Sequence, residues 1–80
     1  GADFIVSLKV VGKDDIGIVT NITSIINKEK SVSLRSISID SHDGLFAGVL
    51  TVGVSDTAAL SSLIRKIETV KGVKNVERNN

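Results

Sequence analysis

The first residues of the chain alternate between apolar and polar side chains, which predicts a β-strand. From Phe4 to Val11, the even positions are all apolar and share one face, and a period of two is typical of a strand with one buried face. The two faces are Phe4, Val6, Leu8 and Val10 on one side, and Ile5, Ser7, Lys9 and Val11 on the other. From Ile18 the period becomes helical, with the apolar stripe Ile18, Val19, Ile22, Ile25 and Ile26. The chain is therefore expected to open as a strand, a loop from Gly12 to Gly17, and an amphipathic helix.

This first loop contains two glycines and two aspartates. A glycine lacks Cβ, so at Gly12 and Gly17 the chain can turn tightly or lie close to another group. Asp14 or Asp15 is expected to cap the helix by accepting a backbone N–H at its positive end. Such a loop suits either a structural turn or a small charged ligand, and the residues alone leave both readings open.

The next segment, Val32 to Ser41, is a strand whose alternation changes parity halfway along. A β-bulge near Arg35-Ser36 would restore the pattern, because one extra residue flips every side chain after it to the other face. With the bulge, four apolar side chains are expected to face the core: Val32, Leu34, Ile37 and Ile39.

The second half of the chain repeats the strand–helix–strand order. Asp43-Gly44 is typical of a hairpin turn, and Leu45 to Val54 is the third predicted strand. Asp56 is a suitable N-cap for a second helix, and Gly72 stands where a left-handed residue commonly follows a helix. Val73 to Arg78 is the last strand. The second helix has its own apolar stripe: Leu60, Leu63, Ile64, Ile67 and Val70.

The predicted order is therefore β-α-β-β-α-β, which indicates an α+β fold. With right-handed crossovers, the expected architecture is a ferredoxin-like sandwich: a four-stranded antiparallel sheet with two helices on one face. In this topology the second and fourth strands are edges. The second is long and apolar, and such an edge tends to recruit another chain. We therefore expect a homodimer, or docking against a partner domain.

Composition narrows the class of protein. The 80 residues form one domain, residues 1–80, and contain no cysteine for a disulfide or a thiolate metal site. Lys and Arg total 10 against 9 for Asp and Glu and are scattered in the sequence, so no footprint for nucleic acid is visible. No apolar run is long enough to cross a bilayer and no signal peptide is present, which indicates a soluble, cytoplasmic domain. A start without Met suggests a piece of a longer chain.

No catalytic or cofactor chemistry is indicated. Gly12 to Gly17 begins like a phosphate-binding loop, but Ile18-Val19 replaces the required Lys-Ser/Thr, and two aspartates would repel phosphate. The adjacent aspartates have no accompanying base, nucleophile or metal-ligand cluster, so capping is their better interpretation. His42, the single histidine, lies on a predicted turn with nothing nearby to tune it. We expect no metal and no cofactor.

Several motifs together resemble an ACT domain along the whole chain. The spacing Gly12-x-Asp14-x-x-Gly17-Ile18-Val19 is similar to the opening of that family, and the matching continuation is Val32-x-Leu34, Asp43-Gly44, Leu50-x-Val52-x-Val54-x-Asp56 and Gly72-Val73-x-x-Val76-x-Arg78. Within the family, the sequence most resembles the C-terminal ACT domain of RelA/SpoT-type enzymes, the GTP pyrophosphokinases that make and hydrolyse guanosine tetra- and pentaphosphate.

The resemblance implies a regulatory domain that catalyses nothing itself, in a parent chain that is a GTP pyrophosphokinase of the stringent response. It would act by dimerisation and by contacts with other domains, the ribosome and tRNA. The alternative is an amino-acid sensor with its ligand at a dimer interface. Carried over residue by residue, that ligand site would consist of Gly12, Lys13, Asp14, Gly17 and Ile18, with Ser33 from the partner.

This chain departs from the amino-acid-binding pattern at four positions. Members that bind amino acids often have Asn at Asp14, Pro at Ile16, Gly at Ser31 and Asn at Ser33. Asp14 and Asp15 together would also oppose the carboxylate of the ligand. The interaction module is therefore favoured over the sensor.

Overall fold

The computed structural model describes residues 3–13 and 17–79. Its elements are β1 (Phe4–Lys13), α1 (Ile18–Lys28), β2 (Val32–His42), β3 (Leu45–Val54), α2 (Thr57–Glu68) and β4 (Val73–Arg78). The strands form one antiparallel sheet in the order β2-β3-β1-β4. The predicted ferredoxin-like fold, with β2 and β4 as the edges, is confirmed.

One apolar core lies between the sheet and the two helices. Even-numbered residues of β1 and β3 face the helices, and the fully buried side chains include Leu8, Val52, Ile22 and Leu63. Phe4 is the exception to the predicted pattern, because it is 61% exposed at the very start of β1. It lines a cleft at the margin of the sheet, together with Thr57 and Leu60 of α2, instead of packing into the core.

The bulge predicted in β2 is present. The register against β3 shifts between Leu34 and Ser36, so Arg35 is the extra residue. Val32, Leu34 and Ile37 then pack against the core as predicted. The prediction for Ile39 is wrong, because its side chain stays 39% exposed. Ile39 pairs with Gly48, which has no side chain to pack against it on this edge of the sheet.

The β2–β3 connection is a tight hairpin turn. Asp43 and Gly44 both have positive φ, +53° and +75°. Positive φ at both central residues is the requirement of a type I′ turn, and Asp-Gly meets it at little steric cost. The turn closes the ladder in which β2 is paired to β3 from Val32 to His42.

Helix α2 begins with the predicted cap. The backbone N–H of Ala59 donates to Asp56 Oδ1 at 2.7 Å, and the Leu60 N–H donates to the Asp56 carbonyl at 3.3 Å. The helix ends at Glu68, and the chain then turns over four residues to reach Gly72, whose φ is +97°. The left-handed conformation predicted for Gly72 is confirmed, although it lies beyond the end of the helix.

Removing the Asp56 cap is expected to lower the free energy of unfolding. Asp56→Ala leaves the Ala59 N–H without its acceptor, at a cost of about 1 kcal/mol. Asp56→Asn keeps an acceptor oxygen and should lose only a few tenths, about 0.3 kcal/mol. Urea denaturation of the three proteins measures both values. Equal losses in the two variants would show that the charge, and not the hydrogen bond, is what stabilises the helix.

Candidate functional site

Gly12 and Lys13 lie within β1, not in the loop that the sequence predicted. Gly12 pairs with Phe46 of β3 and with Val73 of β4, and Lys13 pairs with Leu45. The strand continues because β1 is central and is held by a neighbour on each side. The prediction that the loop begins at Gly12 is therefore wrong by two residues.

Gly12 is required by a close approach between two backbones. A Cβ at this position would lie 2.2 Å from the carbonyl oxygen of Gly72 and 3.0 Å from the Val73 Cα. No side chain can occupy that space without moving backbone. The Lys13 N–H donates to the same Gly72 oxygen at 2.9 Å. This N–H is therefore already used and is not free to bind a ligand.

Helix α1 begins directly after Gly17, which occupies the N-cap position with φ −81°. The carbonyl of Gly17 accepts the Asn21 N–H at 2.9 Å, as the first bond of the helix. The side chain of Ile18 is 1% exposed and belongs to the core. The predicted capping by Asp14 or Asp15, and the predicted ligand contact of Asp14, lie outside the described residues.

Ser33 is far from these residues within one chain. Ser33 is exposed and pairs with Gly53 of β3, which in turn pairs with Ile5 near the start of β1. Ser33 and Ile5 therefore lie at the same position along the strand direction. Lys13 lies eight residues further along β1, a separation of about 26 Å at 3.3 Å per residue. A Cβ on Gly53 would point away from the helices, because its neighbours Val52 and Val54 point into the core. The Ser33 hydroxyl oxygen would lie 2.9 Å from that Cβ, so it is on the same outer face of the sheet.

The structure brings together three lysines that the sequence scatters. Lys13, Lys71 and Lys74 line one cleft of ≈ 320 Å³, with Gly72 and Val73 between them. We call it the lysine cleft. The sequence does not reveal this cleft, because Lys13 is nearly sixty residues from Lys71 and only the pairing of β1 with β4 makes them neighbours. The one available signal was the basic composition of the stretch that precedes and includes β4.

Within residues 3–13 and 17–79, no group of three His, Asp or Glu side chains is placed to hold a metal ion. His42 Nε2 lies 3.2 Å from Asp43 Oδ2 on the hairpin turn, where both side chains are 82% exposed. Neither described helix combines the length and the apolar character needed to span a bilayer. The described residues offer surfaces and clefts for binding.

Comparison with known families and structures agrees with the geometry. A family model described as "ACT domain" matches residues 1–78. The ACT domain of GTP pyrophosphokinase from Chlorobium tepidum, solved by crystallography, is 35% identical with a TM-score of 0.86, covering 96% of this chain and 99% of that one. An ACT domain protein from Streptococcus pneumoniae is 26% identical with a TM-score of 0.72, covering 98% and 91%. None of the curated proteins matches.

The fold also recurs in a larger enzyme. A homoserine dehydrogenase from Thiobacillus denitrificans is 20% identical with a TM-score of 0.77, and the match covers 92% of this chain but 16% of that one. At this identity the likeness shows the fold alone. It illustrates that this sandwich occurs as one part of a longer polypeptide, so fold by itself does not decide function.

Replacing Gly12 is expected to destabilise the protein whether or not a ligand binds. Gly12→Ala forces the strand away from Gly72 and should cost about 3 kcal/mol. Gly17→Ala is the matched control, because its Cβ would meet nothing closer than 3.6 Å, at Asn21 Nδ2. The control should lose less than about 1 kcal/mol in urea denaturation. A harmless Gly12→Ala would remove the structural explanation for this glycine.

Proposed function

Because this chain belongs to the ACT domain family, we propose that it is the regulatory ACT domain of a RelA/SpoT-type GTP pyrophosphokinase. The observation that supports this most is the near-complete overlap, at 35% identity, with the ACT domain of the Chlorobium tepidum GTP pyrophosphokinase. The parent chain would make and hydrolyse guanosine tetra- and pentaphosphate in the cytoplasm. This domain would transmit information to it by dimerisation and by contacts with other domains and the ribosome.

Strand β2 is the surface best suited to dimerisation. It is 11 residues long, pairs on one side only with β3, and contains no proline or lysine to discourage another strand. The other edge strand, β4, is 6 residues long and includes two basic residues and one acidic residue, Lys74, Arg78 and Glu77. The sheet edge that β2 offers to another strand is therefore the longer of the two. Two copies joined there would form one continuous eight-stranded sheet.

A charge on the apolar margin of β2 is expected to weaken the dimer. Ile39 is 39% exposed on the edge strand, while Ile5 is 47% exposed on central strand β1. Ile39→Lys places like charges near the two-fold axis and should raise the dimer dissociation constant at least about tenfold. Ile5→Lys is the matched control and should change it little. Sedimentation equilibrium distinguishes the 8.4 kDa chain from its dimer. A monomeric wild type, or equal effects of both variants, would contradict dimerisation through β2.

An amino-acid sensor is the second candidate, and one geometric observation favours it. In an antiparallel β2–β2 pair centred on Ile37, Ser33 of a second copy would stand opposite Ser41. Ser41 pairs with Phe46 of β3, and Phe46 pairs with Gly12 of β1, so Ser41 and Gly12 lie at the same position along the strand direction. In such a dimer the second copy's Ser33 would be level with Gly12 and about 14 Å away across three strand spacings, instead of about 26 Å away along the strand.

Other features argue against a ligand in this place. The Lys13 N–H is already donated to Gly72, and the Ser33 hydroxyl lies on the face of the sheet opposite the helices. Two adjacent carboxylates, Asp14 and Asp15, precede the start of α1 in the sequence and would repel the carboxylate of an amino acid. The interaction module therefore remains the better proposal.

Titration of the labelled domain with a panel of amino acids separates the two candidates. We expect no saturable change in the backbone amide signals at millimolar ligand, because the Lys13 N–H is already donated to Gly72 and the adjacent Asp14 and Asp15 would repel a carboxylate. Saturable shifts confined to residues 12–18 and 31–35 would overturn this and establish the sensor. The thermal transition of the same sample serves as the control that the domain is folded.

A further inference from the structure

We propose that the lysine cleft, formed by Lys13, Lys71 and Lys74, binds consecutive phosphates of an RNA backbone. The inference rests on the proposed function, because a domain that contacts the ribosome contacts RNA. It deepens that function by naming the surface. The cleft lies at the β4 side of the sheet, away from the edge proposed for dimerisation.

The backbone fixes the position of two of the three lysines. Lys13 ends β1, and its N–H is bonded to the carbonyl of Gly72 at 2.9 Å. Lys71 immediately precedes Gly72, whose φ of +97° turns the chain back toward the sheet. The two lysines are therefore anchored on backbone segments that contact each other directly. Their flexible side chains can adjust to a ligand while their origins stay fixed.

An irregularity in the β1–β4 ladder supplies the third lysine. Val11 pairs with Asn75 and Gly12 pairs with Val73, so Lys74 is the extra residue of a bulge between them. Bulges redirect a side chain relative to the regular alternation and are frequent next to functional sites. Lys74 is exposed and lines the same cleft as Lys13 and Lys71. All three lysines thus line a single concavity.

The charge of the cleft is not neutralised by the described part of the chain. Lys66 is paired with Glu29, but Lys13, Lys71 and Lys74 form no ion pair with any described carboxylate. Residues 65–78 contain five basic and two acidic side chains, a net charge of +3, although the whole chain has a net charge of +1. The remaining residues therefore sum to −2. The positive charge is therefore concentrated in this stretch of the sequence, which supplies Lys71 and Lys74 to the cleft.

These features favour phosphate over other anions and backbone over bases. Lysine acts as a compact point charge with three donors, which suits phosphate oxygens that can approach from several directions. Neither phenylalanine of the chain lines the cleft, so no aromatic ring is present there for base stacking. Binding is therefore expected to be independent of RNA sequence and strongly dependent on salt.

The experiment measures fluorescence anisotropy of a labelled twelve-residue oligouridylate with the whole chain over a series of salt concentrations. In K13Q/K71Q/K74Q we expect RNA binding to be at least about tenfold weaker. The slope of log K against log salt concentration should also become smaller in magnitude by about 2, because each of the three lost phosphate contacts on a single strand contributes about 0.7. The matched control is K9Q/K28Q/K30Q, which removes the same charge from exposed positions outside the cleft and outside residues 65–78, and it should change affinity less than about threefold.

Two results would overturn the proposal: no RNA binding by the wild-type chain at low salt, or equal losses in the two triple variants. Inorganic tripolyphosphate is a second probe, and a chain that binds it without binding the oligonucleotide would refute the RNA assignment. Amide spectra establish that each variant is folded. If the chain forms the β2 dimer but does not bind RNA, only the proposal of RNA binding at the lysine cleft is refuted. If the chain is monomeric but binds RNA through the cleft, only the proposed dimerisation is refuted.

Asp14 and Asp15 provide an independent check, because they follow Lys13 directly in the sequence. If phosphates lie beside Lys13, removing these two charges in D14N/D15N must tighten RNA binding, by about threefold or more at low salt. Unchanged or weaker binding would contradict a phosphate site at this end of β1.

Discussion

The contact between the end of β1 and the turn before β4 determines much of this structure. Gly12 leaves room for the backbone of Gly72 and Val73, and the Lys13 N–H donates to the Gly72 carbonyl. Without that approach, β4 could not pair with β1 as far as Gly12, and α2, which contacts β4, would lose one of its supports. A small domain with no disulfide depends on such long-range contacts, because its core is modest.

The same contact also determines which groups are available for binding. It occupies the Lys13 N–H, one of the backbone donors near the predicted ligand site, and it places Lys71 and Lys13 in the same cleft. Gly12 is therefore needed for the packing of two backbones at the place where the sequence suggested a ligand site. A glycine-bracketed loop in the sequence is consequently weak support for a ligand site, since close packing of two backbones demands the same residue.

The sequence predicted well those features that depend on local signals. The bounds of β3 and β4, the bulge at Arg35, the Asp43-Gly44 turn and the Asp56 cap each follow from a few neighbouring residues. It failed where a distant segment decides the outcome. Gly12 belongs to a strand because Val73 pairs with it, and Ile39 is exposed because Gly48 stands opposite. The lysine cleft escaped notice for the same reason, since counting charges along the chain cannot show which of them converge.

The two surfaces proposed here are compatible because the strand order separates them. β2 and β4 are opposite edges of the sheet, so a dimer joined through β2 leaves both lysine clefts uncovered. Such a dimer would present two phosphate-binding clefts on one rigid, continuous sheet. When one cleft is occupied, the other is held at a fixed distance from the same polyanion, which raises its effective concentration without any new contact. Dimerisation and RNA contact would then reinforce each other, and weak electrostatic binding by a chain of net charge +1 could become selective for a large, structured RNA.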